Sequence, residues 1–192
     1  MNTVEISIVR AKITEVTADF ILLKNTSDGL FGPELATNQA SGGFLSLYNK
    51  PNLTNIGTVQ ILNQVAGIAA RNAILVGVGS GFQLQYKTIS MMCLSAIKAI
   101  SEHQGSINNV TIATVSHGVG FGLDRKEVFK TQLFGFKEAL EKSGTPSLVA
   151  RIIFDELEER DFNQLKTHLE ELTFGDTPVS KDGDKFYLKL SR

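Results

Sequence analysis

The chain has 192 residues, of which 42% are hydrophobic and 20% are charged, and its formal net charge is −1. These values fit one large domain with a well-buried core, or one domain with a short appendage. The near-neutral charge gives no basic field for nucleic acid, and the single cysteine, Cys93, excludes a disulfide scaffold and a cysteine-rich zinc site.

Hydrophobic patterning predicts four strands and one short helix in the first part of the chain. The segment "VEISIVR" alternates in hydrophobicity, whereas "DFILLK" and "NAILVGV" are continuous apolar runs typical of strands covered on both faces. The predicted strands span 4–10, 19–24, 58–65 and 72–78. A short helix is expected to open near Pro33, because proline is tolerated in a first turn.

Helical periodicity dominates the second part of the chain. The clearest helix spans 86–104, where apolar residues recur at helical spacing at Ile89, Met92, Cys93, Ala96, Ile97 and Ile100. Further helices are predicted over 125–143 and 162–172, and strands over 109–115 and 147–154. Asp124 with Glu127, and Asp161 with Gln164, have the spacing of capping boxes at the two later helices.

The alternation of strands and helices predicts a three-layer α/β/α fold with a mostly parallel, mixed sheet. We expect the domain to occupy residues 1–172. Residues 173–192 form a carboxyl-terminal extension in which "KFYLKL" is either an edge strand or the first strand of a further domain.

Three glycine-rich loops follow predicted strands, at "GLFGPELA" (29–36), "GVGSGF" (77–82) and "SHGVGFG" (116–122). Ligands of open α/β sheets bind beyond the carboxyl ends of the strands. Backbone N–H groups of the third loop, with the amino end of the helix near Arg125, would suit a phosphate or another anion. Ser116 and His117 would add donors, and Gly118, Gly120 and Gly122 would let the backbone turn inward. The alternative is a set of tight connectors whose glycines serve only close packing.

Four segments together resemble a known family: "AKITEVTADFILLKNTSDGLFGPELA", "NAILVGVGSG", "IATVSHGVGFGLDRKEV" and "RIIFDELEERDFNQLKTHLEEL". They are similar to macro domains and to the macro-like amino-terminal domain of leucyl aminopeptidases, over residues 4–172. Macro domains bind ADP-ribose and its relatives, and some hydrolyse ADP-ribosyl bonds. The resemblance implies that the third loop binds a diphosphate and that the first loop also faces phosphate. The ligand-binding residues expected from the loops and the resemblance are Gly29, Phe31, Gly32, Ser116, His117, Gly118, Val119, Gly120, Phe121 and Gly122.

Two departures from the family decide the predicted function. Lys12 stands where the family usually carries an aspartate that reads the adenine amino group, and a lysine offers no acceptor. The paired asparagines after the second strand are reduced to Asn25. We therefore predict a non-catalytic binding or sensor module for an ADP-ribose-like or NAD-derived nucleotide. The alternatives are an ADP-ribosyl hydrolase and a ligand-free assembly module like the aminopeptidase domain, whose catalytic residues lie elsewhere.

The remaining polar residues suggest no further chemistry. His103 and His168 fit solvated helix positions, Cys93 fits the core, and the carboxylates of 154–161 fit a strand end and a helix cap.

We predict no catalytic residue, no metal and no cofactor. The expected partners are a small nucleotide and either a second copy or an effector, without nucleic acid or membrane. Lacking a signal peptide's apolar core, the chain is expected in the cytoplasm; macro-like modules of this kind occur in bacterial signalling and defence.

Overall fold

The computed structural model describes residues 3–105, 107–143, 149–156, 158–174, 177–183 and 185–190. Four α-helices lie in these ranges: α1 (Pro33–Ala40), α2 (Tyr86–Gln104), α3 (Arg125–Lys142) and α4 (Glu159–Glu171). None of these helices is long and apolar enough to cross a lipid bilayer.

Ten strands lie in the same described ranges. They are β1 (Thr3–Val9), β2 (Phe20–Thr26), β3 (Val59–Asn63), β4 (Asn72–Gly79), β5 (Val110–Thr114), β6 (Val149–Asp155), β7 (Thr173–Phe174), β8 (Thr177–Pro178), β9 (Ser180–Asp182) and β10 (Lys185–Lys189). The predicted strand over 147–154 begins partly outside the described residues.

Eight strands form one mixed sheet in the order β3-β4-β2-β5-β6-β1-β10-β9. The five central strands, from β4 to β1, run parallel, whereas β3, β10 and β9 pair antiparallel with their neighbours. The predicted fold class is therefore confirmed. Every residue of β2 is buried, as its continuous apolar run predicted for a strand covered on both faces.

Two separate apolar clusters cover the two faces of the sheet. On one face α2, α3 and α4 pack together, and the predicted apolar stripe of α2 is buried there. On the other face the cluster joins sheet residues such as Ile21 and Leu75 to Ile13 and Leu45, which lie in short 3-10 segments. The domain thus has the three layers that its alternating pattern predicted.

The capping predictions have opposite outcomes. Asp124 caps α3, because its Oδ1 accepts a hydrogen bond from the Glu127 N–H at 3.0 Å. The prediction for α4 was wrong: the helix begins at Glu159, and the preceding Glu158 makes no side-chain cap. Asp161 lies within the first turn, where its Oδ2 is 2.6 Å from Nη2 of Arg125. A guanidinium provides a stronger, charge-assisted partner than a neutral backbone N–H.

The carboxyl-terminal segment contributes to the main sheet. Strand β10, which holds most of "KFYLKL", pairs antiparallel with β1 and lies one position inside the edge that β9 forms. Its Phe186 and Leu188 are buried in the cluster beneath α2, α3 and α4. Strands β7 and β8 form a separate two-stranded sheet.

Candidate ligand-binding cleft

The three predicted glycine loops meet at one edge of the sheet, because they follow the parallel strands β2, β4 and β5. Phe31 of the first loop and Phe82 of the second both contact Phe121 of the third, with ring centroids 5.5 and 5.6 Å apart. One glycine of the second loop has another role. Gly77 lies inside β4, where an added Cβ would be 2.2 Å from the Asn55 carbonyl oxygen, so it serves close packing.

The loop after β5 turns so that three consecutive backbone donors are left free. Gly118 has a φ of +103°, and its carbonyl accepts hydrogen bonds from the N–H groups of Phe121 and Leu123. No acceptor from the described residues takes a hydrogen bond from the N–H of Gly118, Val119 or Gly120. A Cβ at Gly120 would have no atom within 4 Å, so this position is open to solvent. Successive unpaired N–H groups form the kind of concavity that binds anions.

Two adjoining cavities flank this loop. The larger has a volume of about 610 Å³ and lies between the loops after β1, β5 and β6. The smaller, of about 340 Å³, lies beneath Phe31, Phe82 and Phe121. Both are lined by Gly32, Pro33, Val115, Ser116 and Gly120, so the two cavities form two lobes of one cleft, with the free loop donors near their junction.

The start of the loop is fixed from below by α3. Gln132, which is fully buried, accepts a hydrogen bond from the His117 N–H at 2.9 Å and donates to the Val115 carbonyl at 3.0 Å. The Ser116 side chain lies between these anchored residues and lines both lobes, and the residue is only 9% exposed. Its Oγ has no hydrogen-bond partner among the described residues. A buried hydroxyl without a partner is costly unless a ligand or water satisfies it.

A buried charged cluster forms the floor of the smaller lobe. Nζ of Lys24, on β2, lies 2.6 Å from Oε2 of Glu34, in the first turn of α1. Nδ1 of His117 lies 3.6 Å from the other Glu34 oxygen, while its Nε2 donates to the Leu22 carbonyl at 3.1 Å. Lys24 and His117 line the lobe, so an ion pair and an imidazole ring lie beneath it.

Burial sets the protonation states of this cluster. Burial, and next the charge of Lys24, lower the pKa of His117 from 6.5 to about 3, so the ring is neutral at pH 7. Its contact with Glu34 is therefore not an ion pair. Burial also raises the pKa of Glu34, against the opposing attraction of Lys24. With so low a pKa, the His117 ring is a poor general acid or base near neutral pH.

The larger lobe is rich in carboxylates. Arg125 is engaged with Glu156 and Asp161, at 2.7 and 2.6 Å, so its charge is already matched. Asp155 accepts a hydrogen bond from the Ala11 N–H at 3.1 Å, and burial raises its pKa to about 6. Lys12 also lines this lobe and pairs with Glu15 at 3.4 Å. This composition suits hydroxyl and amino donors better than phosphate.

The structure brings most of the sequence-predicted site residues together, although they do not all face the cleft. Phe31, Gly32, Ser116, His117, Gly118, Gly120 and Phe121 line the smaller lobe, and Val119 lines the larger. Gly29 and Gly122 line neither lobe and instead adopt positive φ in turns. His117 is 1% exposed, so it lies beneath the loop surface.

Asn25 is engaged away from both lobes. Its Nδ2 donates to the carbonyls of Tyr48 and Leu53, and its Oδ1 accepts from Asn49 at 2.7 Å. These bonds anchor the segment after α1 to β2. The side chain therefore has a structural role that accounts for its amide.

Sequence reasoning missed Lys24, Glu34 and Phe82. A lysine within the apolar run "ILLKNT" was the available signal, since a buried charge requires a partner. Its partner lies ten residues away on another element, which the sequence pattern alone does not reveal. Phe82 stands in a loop without periodicity, so only the fold shows that it adjoins Phe121.

Several solved macrodomains have the same fold as this chain. The chain is 21% identical to a glycine-to-valine mutant of the Oceanobacillus iheyensis macrodomain with ADPR, with a TM-score of 0.66 over 88% of this chain and 93% of that one. A Trypanosoma brucei macrodomain in complex with ADP-ribose is 14% identical, with a TM-score of 0.64 over 82% and 66%. The macrodomain of Mycobacterium tuberculosis DarG is 15% identical, with a TM-score of 0.59 over 77% and 96%.

No family model matches the sequence, and neither does any curated protein. The structural likeness nevertheless shows that this chain has the macrodomain fold. The part of the predicted resemblance that concerned macro domains is confirmed at the level of fold. The aminopeptidase comparison remains an interpretation of the sequence.

Proposed function

We propose that this chain is a binding module for a diphosphate nucleotide of the ADP-ribose type. The observation that carries the proposal is the set of unpaired donors at the junction of the two lobes: three consecutive N–H groups, of Gly118, Val119 and Gly120, and the hydroxyl of Ser116. Ser116 and Gly118 are buried, and buried donors are normally satisfied in a folded protein. A diphosphate would supply several acceptor oxygens to such a set of donors.

In this proposal the two lobes hold the two ends of the ligand. The carboxylates of the larger lobe would accept hydrogen bonds from the amino and hydroxyl groups of a nucleoside, and Asp155 is the best-placed acceptor because one oxygen is already oriented by the Ala11 N–H. The distal group would enter the smaller lobe. The Oceanobacillus iheyensis macrodomain solved with ADPR and the Trypanosoma brucei macrodomain solved with ADP-ribose support this ligand class.

We propose that binding occurs without hydrolysis. A general acid or base must reach the ligand with a pKa near the working pH. His117 is buried and its pKa is about 3, and the amide of Asn25 is occupied by Tyr48, Leu53 and Asn49. Asp155 has a pKa of about 6, but it lines only the larger lobe, away from the distal end of the ligand. Incubation with ADP-ribosylated protein should release no ADP-ribose above an enzyme-free control; release that depends on the 116–122 loop would establish the hydrolase alternative instead.

We further propose that ligand occupancy is passed to a partner or effector. The floor of the smaller lobe is connected to α1 through the Lys24–Glu34 pair, so a ligand that contacts Lys24 also acts on the first turn of that helix. The alternative of a ligand-free assembly module predicts instead that no nucleotide binds.

Calorimetric titration of ADP-ribose into the wild-type protein and a Gly120→Glu variant tests the proposal. The new side chain would enter open space and place a negative charge beside the loop donors. We expect saturable binding by the wild type and at least a hundredfold loss in the variant, since like-charge contact costs several kcal/mol, on the order of 3.

Gln104→Glu is the matched control, because it adds the same charge at the exposed end of α2. It should bind as the wild type does. Equal affinity in all three proteins would place the ligand elsewhere, and absence of binding to the wild type would favour the assembly module.

A further inference from the structure

Three phenylalanine rings surround the mouth of the smaller lobe. Phe31 and Phe82 each stand nearly perpendicular to Phe121, at interplanar angles of 87° and 90°. Phe82 is 78% exposed and Phe31 is 36% exposed, so both present apolar surface to solvent beside a cavity. Exposed phenylalanine rings clustered at a cavity mouth mark a binding site more often than isolated ones do.

The fold holds these rings in place. Oδ2 of Asp28 accepts hydrogen bonds from the Gly81 N–H at 2.6 Å and from the Ser80 hydroxyl at 2.8 Å, which ties the loop of Phe31 to the loop of Phe82. Phe121 packs against the backbone of Gly81, where a Cβ would lie 2.5 Å from its ring. The aromatic cluster is therefore fixed by contacts between three loops.

The smaller lobe is larger than a distal sugar requires. Its volume of about 340 Å³ is within the range of about 300–1,000 Å³ typical of complete small-molecule pockets. Its wall includes Nζ of Lys24, which lies 5.6 Å from the Phe121 ring centroid, and the unpartnered Oγ of Ser116. The lobe thus combines aromatic surface for a planar ring with polar groups for a sugar.

We propose that the smaller lobe is a second ring-binding subsite, and that the cleft takes a dinucleoside diphosphate with an aromatic ring at each end. This inference rests on the proposed function, since the diphosphate still lies on the 116–122 loop. The second ring stacks on the exposed faces of Phe82 and Phe31, while its ribose lies nearer Lys24 and Ser116. Stacking of a base on an aromatic side chain strengthens binding without requiring a particular base.

The test compares three ligands by calorimetry: ADP-ribose, NAD⁺ and diadenosine diphosphate. We expect at least one dinucleotide to bind the wild type about tenfold more tightly than ADP-ribose, as one stacked ring provides. In Phe82→Ala this advantage should disappear, because the dinucleotide loses more affinity than ADP-ribose does. NAD⁺ and diadenosine diphosphate distinguish a cationic pyridinium from a purine as the second ring.

Phe134→Ala is the matched control, because this phenylalanine of α3 is also exposed, at 53%, and lines neither lobe. It should retain the dinucleotide preference. Equal wild-type affinities for all three ligands, or an equal loss for all three in Phe82→Ala, would overturn the second subsite while leaving the proposed function intact. Failure of every ligand to bind would overturn both.

Discussion

At the scale of single residues, two glycines of one loop have different roles. Gly118 has a positive φ, and an added Cβ would lie 2.8 Å from Cδ1 of Leu123 and 3.1 Å from Cδ1 of Ile89. Gly120 lacks both constraints. We expect Gly118→Ala to lower the free energy of unfolding by about 2 kcal/mol, and Gly120→Ala to change it by less than about 0.5 kcal/mol while weakening ADP-ribose binding.

Urea denaturation and calorimetry of the two alanine variants separate packing from ligand contact. If Gly120→Ala were destabilised as strongly as Gly118→Ala, the space around Gly120 would not be open.

The buried pair of Lys24 and Glu34 gives a second prediction. Lys24→Met leaves a buried carboxylate without its cation, so we expect the free energy of unfolding to fall by about 3–5 kcal/mol at pH 7. The double variant Lys24→Met/Glu34→Leu removes both charges and should recover most of that loss. The measurement is urea denaturation of the single and double variants. If the losses of unfolding free energy in Lys24→Met and in Glu34→Leu add up to the loss in the double variant, the two side chains are not coupled.

The lowered pKa of His117 makes its contribution to the free energy of unfolding depend on pH. Its folded pKa of about 3 lies below the ordinary value of 6.5, so the unfolded state binds the proton first. The stabilisation is complete above pH 6.5 and is lost as the pH falls towards 3, by about 1.4 kcal/mol per pH unit. Asp155 has the opposite effect: its pKa is raised from 3.8 to about 6, so its contribution is lost as the pH rises through that interval.

His117 and Asp155 have opposite effects on the pH dependence of stability. The quantity to measure is therefore the difference in free energy of unfolding between the wild type and a His117 variant. In His117→Gln the amide can still donate to the Leu22 carbonyl, but it does not titrate. Urea denaturation between pH 4 and 7 should show the wild type losing stability relative to this variant as the pH falls. Parallel curves would mean that the ring is accessible to protons in the folded protein.

At the scale of elements, Asp28 joins two loops that the sequence places far apart. Asp28→Ala removes the acceptor for Gly81 N–H and the Ser80 hydroxyl, and should destabilise the protein by about 1–2 kcal/mol. Asp28→Asn keeps one acceptor oxygen and should cost less. Thermal unfolding compares the variants; equal stability of Asp28→Ala and the wild type would show that the loops are held by their aromatic contacts alone.

Comparison of the predicted and observed helices and strands shows what the sequence could and could not predict. The buried residues of α2 recur at helical spacing, and β2 is a continuous apolar run. Both patterns are local in the sequence, so both elements were predicted closely. The start of α4 was missed because Asp161 pairs with Arg125, thirty-six positions earlier, instead of capping its own helix. Asn25 has its partners at Tyr48, Asn49 and Leu53, so its structural role also depends on distant segments.

At the scale of the whole molecule, the position of the cleft follows from topology. Five parallel strands bring their carboxyl ends to one edge, which the alternating pattern predicted, and the glycine loops therefore meet there. The sequence did not reveal that Lys24 and Phe82 line the smaller lobe, or that Glu34 pairs with Lys24, because these arrangements depend on tertiary contacts. The pairing of β10 with β1 likewise joins residues at opposite ends of the chain.

The proposed function depends on binding of a diphosphate by the free N–H groups of Gly118, Val119 and Gly120. Proton–nitrogen correlation spectra recorded during titration with ADP-ribose test it directly, because each amide is observed separately. We predict large, saturable downfield shifts of these three resonances, with smaller shifts at Gly105, which lies outside the cleft at the end of α2. Shifts centred elsewhere, or none at saturating ligand, would show that these amides do not bind the diphosphate.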